Sequence, residues 1–170
     1  MRYIRRGALA LLLALVLMAP GAFAQQVRLP ASGVPAFEFV PPPGWTSQID
    51  SYDNLQLLLP DRMGVVQLSM ATGDDAKAAL EDFAAGILEN AGAQPYGLSG
   101  PGVIAGRPGQ SFQSSIVNQQ GTKIDLLLVL ARLDADHVAA QATIKAVGIN
   151  AADSAAIDDL IARVRIVGAP

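Results

Sequence analysis

The chain of 170 residues has no cysteine, which excludes disulfide scaffolds, thiolate metal sites and thiol nucleophiles. Twelve Lys and Arg against fifteen Asp and Glu leave a net charge of −3, an acidic balance that argues against nucleic acid as a partner. Hydrophobic residues make up 51% but aromatics only 5%, the composition of a small-side-chain core rather than of an aromatic-lined sugar groove.

Met1 to Ala24 reads as an export signal. Arg2, Arg5 and Arg6 form a basic start, Ala8 to Met18 an apolar run, and Ala22-Phe23-Ala24 an A-x-A cleavage form, placing the cut before Gln25. The apolar run is well short of the roughly 20 residues that span a bilayer; an uncleaved anchor reaching Ala24 is the alternative. The twin arginine Arg5-Arg6 lacks the rest of a twin-arginine pattern, so general secretion is expected, and no cysteine offers a lipid attachment point. Cleavage removes three arginines and leaves a more acidic chain of one-domain length, periplasmic or secreted, with no stable membrane insertion.

Residues 25–36, with Pro30, Gly33 and Pro35, read as a flexible leader, and a single domain is expected over 37–168. Phe37 to Val40 alternates as a short strand that Pro41-Pro42-Pro43-Gly44 stops, turning the chain into Trp45. Leu55 to Leu59 and Gly64 to Met70, separated by Pro60-Asp61-Arg62, predict a hairpin. Leu80, Phe83, Ala84, Ile87, Leu88 and Ala91 then form one helical stripe, with Gly92 to close it.

Val103 to Gly106, a turn at Arg107-Pro108-Gly109, Ser111 to Val117, Lys123 to Arg132 and His137 to Val147 predict a meander. In its last strand Val138, Ala140, Ala142, Ile144 and Ala146 alternate with His137, Gln141, Thr143 and Lys145, so one face is expected buried and the other wet or lightly covered. A final helix is expected over Ala152 to Val164, buried through Ile157, Leu160, Ile161 and Val164, with Asp159 and Arg163 paired at i, i+4. The predicted class is α+β, a central antiparallel sheet of hairpin plus meander with two packed helices, an α/β/α sandwich.

This order of elements, together with Val40-Pro41-Pro42-Pro43-Gly44-Trp45, resembles the PsbP-like and DcrB-like superfamily of small α/β/α sandwiches. The resemblance covers Phe37 to Val167 and implies a non-enzymatic envelope or lumenal accessory protein that binds partners; it carries over no functional residues.

Individual residues supply little chemistry. His137, the single histidine, follows Asp134 and Asp136, so the three could form a metal or acid-base site, or simply a hairpin turn entering a strand. A carboxylate calcium site is conceivable there, but the EF-hand spacing is missing. Gly97-Leu98-Ser99-Gly100 misses the G-x-S-x-G elbow by one position, and the paired carboxylates Asp74-Asp75, Glu81-Asp82 and Asp158-Asp159 fit helix starts and wet faces. Trp45 reads either as a surface anchor for a partner or as a cover for one end of the core. Arg107 reads either as a contact for an acidic ligand or as the mate of a nearby aspartate. The expectation is an exported, soluble, non-enzymatic accessory or binding protein with no cofactor, whose partner is an envelope protein or small ligand. A carboxylate-dependent hydrolase using Asp134 and Asp136 and a calcium binder are the alternatives.

Overall fold

The computed structural model describes residues 26–49, 54–61, 63–72, 100–117 and 121–169, and residues 78, 82 and 85 between them. The signal segment and most of the expected first helix lie outside the described residues; Ala78, Asp82 and Ala85 within that stretch are helical.

Among the described residues, ten strands build two antiparallel sheets. The larger contains β3 (Thr46–Ile49), β4 (Leu55–Leu58), β5 (Gly64–Thr72), β6 (Gly100–Ile104), β7 (Arg107–Val117), β8 (Lys123–Arg132) and β9 (His137–Ala146), in the order β3-β4-β5-β9-β8-β7-β6. The smaller is β1 (Val27–Leu29), β2 (Ala36–Phe39) and β10 (Arg165–Val167), with β2 in the middle. One continuous helix, α1 (Ala151–Arg163), completes the set. The expected α/β/α sandwich is therefore corrected: the protein is mostly β, with two sheets and a single helix of this kind among the described residues. A second, three-stranded sheet that the sequence pattern did not disclose stands beside the large one.

Local chemistry explains the joints. Pro42 to Trp45 is a type II turn: the Trp45 N–H donates to the Pro42 carbonyl at 3.2 Å, and Gly44 adopts the positive φ of 83° that this turn demands at its third residue. The β6–β7 hairpin closes through Ala105 (φ 49°) and Gly106 (φ 81°), the signature of a type I′ turn. This corrects the expected turn at Arg107-Pro108-Gly109, which instead lies inside β7, with Pro108 opposite Val103. The handedness of a two-residue hairpin loop decided the turn, and Pro-Gly one step later did not.

The segment expected to be a flexible leader carries β1. Leu29 is buried, Val27 to Leu29 pair with Phe39 to Phe37, and Arg28 binds Glu38 across the pair at 2.6 Å. Packing, absent from the leader's own pattern, holds it. Asn150 caps α1 by accepting the Asp153 N–H at 2.8 Å, and Val164 ends the helix in extended backbone and leads directly into β10. The Asp159–Arg163 pair forms at 2.6 Å.

Register places Leu57, Val66, Leu68, Val129 and Ala139 on one face of the large sheet. That face meets Phe37 and Phe39 of the small sheet and Ile157 and Leu160 of α1 in one core. Gly64 admits the helix: a Cβ there would stand 2.5 Å from Ile157 Cδ1. The opposite face is buried over β8 and β9 as well, through Leu126, Leu128, Ala140 and Ala142. Gln141 and Thr143, expected on a wet or lightly covered face, are buried too, because the core side of the sheet closes over them. Burial on both faces matches the unbroken apolar run of β8.

Two outcomes test these joints. Ala105→Asn should raise stability by about 1 kcal/mol, since Asn tolerates the left-handed conformation, φ 49°, that alanine resists. Gly109→Ala should lower stability by about 3 kcal/mol, because a Cβ there would overlap the Leu130 carbonyl oxygen of β8. Urea unfolding of each variant measures both.

Candidate functional site

The turn between β8 and β9 gathers two of the three residues proposed as a metal or acid-base site. His137 Nδ1 lies 2.8 and 2.9 Å from the two carboxylate oxygens of Asp134. The Asp136 N–H donates to Asp134 Oδ1 at 2.8 Å, and the Leu133 N–H donates to the His137 carbonyl at 2.9 Å. Arg132 donates to the Ala135 carbonyl at 3.0 Å, tying the loop from outside. The hydrogen bond to His137, followed by that from the Asp136 amide and the attraction of the imidazole, holds the Asp134 carboxyl below its ordinary range against a smaller opposing effect of burial. Asp136 takes part through its backbone, and its side chain is exposed. Among the described residues no three His, Cys, Asp or Glu side chains converge as a ligand set.

Chemically, this arrangement fixes an imidazole by one nitrogen and closes a turn. Its carboxylate is acidified, the opposite of what a general acid needs. Among the described residues the side-chain hydrogen bonds of Asp134 and His137 lie within this turn.

Trp45 is partly buried and packs against the main core. Arg107 Nη2 donates to the Ala169 carbonyl at 3.1 Å, fastening the segment after β10 to the start of β7. Trp45 precedes β3, Arg107 opens β7 and Asp134 and His137 join β8 to β9, so the three stand at different joints of the sheet.

A polar column on β9, read from the sequence only as the wet side of a strand, is the feature that residue types failed to disclose. Gln141 and Thr143 are 2% and 4% exposed, among aliphatic neighbours. Farther along the same face, Lys145 Nζ reaches Asp158 Oδ1 at 2.7 Å and Ser154 Oγ at 3.0 Å, joining β9 to α1. The available signal was the strand's period of two combined with a continuous apolar neighbour, β8, which already implied that both faces close.

No protein-family model matches the chain, and no curated protein matches it by sequence. A solved structure does: LpqN of Mycobacterium tuberculosis, described as involved in cell envelope biogenesis, aligns over 86% of this chain and 91% of its own, at a TM-score of 0.53 and 17% sequence identity. The two chains share a fold. At that identity the likeness concerns architecture alone, and it names LpqN rather than a PsbP-like or DcrB-like protein. Among the described residues no helix is long and apolar enough to cross a membrane.

The Asp134 contacts set a pH dependence. A carboxyl whose folded value is lowered adds stability that is present above the ordinary value of about 4 and lost as the pH falls through the folded one. The melting temperature of Asp134→Asn should therefore lie below that of the unaltered protein at pH 7, and the difference should shrink as the pH falls through the lowered folded value. Equal melting at every pH would show that the contact contributes nothing.

Proposed function

We propose that the protein acts in the cell envelope after export, as a non-enzymatic accessory or binding protein. The observation that carries this reading is the shared fold with LpqN, a protein described as involved in cell envelope biogenesis. The signal-like segment Met1 to Ala24 agrees with it, and the resemblance of the Pro-Gly-Trp turn to PsbP-like and DcrB-like proteins points to the same kind of role.

The carboxylate hydrolase and calcium readings gain no specific support from the geometry. Asp134 is already committed to His137 and the Asp136 amide, and the contacts of the turn account for its acidity. A partner or ligand is expected to be held by surface and shape.

Expression of the full chain with a C-terminal tag, followed by fractionation, N-terminal sequencing and crosslinking in intact cells, tests the proposal. The expected result is a product beginning at Gln25 in the envelope fraction, crosslinked reproducibly to one envelope component. An uncleaved chain confined to the cytosol would overturn it.

A further inference from the structure

Gln141 is an amide in an aliphatic setting. On the strands to either side it stands opposite Leu68 and Val129, and Thr143 stands opposite Val66 and Leu127. Only one long hydrogen bond satisfies the amide, from Gln141 Nε2 to Thr143 Oγ1 at 3.4 Å. Its Oε1 is buried with no protein group donating to it. A buried acceptor left without a partner is destabilising, and leucine at this position would remove that cost.

The chemistry of the pair narrows what completes it. Oε1 requires a donor, whereas with the amide turned the other way the orphan would be an N–H that requires an acceptor. A hydroxyl meets either demand, and Thr143 Oγ1 can share it, since it offers both a hydrogen and lone pairs. Charged groups are disfavoured: the neighbours are aliphatic, and Lys145, the next cation on this face, is already bound to Asp158. From Thr143 the row continues through partly buried Leu127 to exposed Gln113.

We propose that Gln141 and Thr143 form a buried receptor for one neutral hydroxyl group, supplied by water or by a small uncharged alcohol. The site is separate from the Asp134–His137 turn and does not depend on the envelope role.

The experiment follows the Gln141 side-chain amide by NMR in the 15N-labelled full chain, with water and with added 1-butanol. A long-lived cross-peak from the Gln141 amide protons to water is expected, and Thr143→Val should weaken it at least threefold. If 1-butanol shifts the Gln141 resonances saturably and removes the water peak, an alcohol is the occupant; if the peak persists unchanged, water is. A Gln141 amide that shows neither a water cross-peak nor a saturable shift overturns the proposal. Should Thr143→Val fail to fold, the spectra of the unaltered protein still decide between these results.

Discussion

The nine-residue pairing of β5 with β9 is the constraint on which the rest of the structure rests. It runs from Gly64 opposite Lys145 to Thr72 opposite His137 and joins the N-terminal hairpin to the C-terminal meander, so one seven-stranded sheet exists instead of two small ones. Neither half has enough strands to bury both of its faces alone. The pairing joins segments far apart in sequence, so its loop-closure entropy must be met before the contacts repay it. Once β5 and β9 are in register, each remaining strand of the sheet adds through a neighbour, as an antiparallel partner.

That register also explains the placement of the helix and the small sheet. With Gly64 opposite Lys145, the missing side chain leaves room for Ile157, while the long lysine reaches Asp158, the next residue of α1. A void and a cation, side by side on adjacent strands, position the same helix. The Lys145–Asp158 pair alone is a modest contribution, since Asp158 is largely exposed. The apolar seat under Ile157 and Leu160 supplies most of the stabilisation, and the ion pair chooses the angle.

Most of the strands were legible because alternation and turn residues delimit them: Leu55 to Leu58, Gly64 to Met70 and Lys123 to Arg132 all stand out between proline, glycine or aspartate. β1 and β10 were not legible, as three residues cannot show a period of two, and only their contact with β2 makes them strands. The Asp134–His137 contact was half legible, since a spacing of three across a turn brings the side chains close without saying whether they serve a metal or each other. The burial of Gln141 and Thr143 was hidden for a different reason. Residue type records the average environment of glutamine and threonine, and here the tertiary cover overrides it.

The small sheet has one further consequence. Its central strand holds Phe37 and Phe39, yet its two edges come from opposite ends of the described chain, Val27 to Leu29 and Arg165 to Val167. A polypeptide that emerges with its N-terminus leading presents β2 well before its second partner, because β3 to β9 and α1 lie between them. During that interval two large aromatic side chains, fully buried in the finished protein, have nothing to cover them from the C-terminal side. The core therefore stays open on one side until β10 has emerged, and it is over that interval that a holding chaperone would have the most apolar surface to cover.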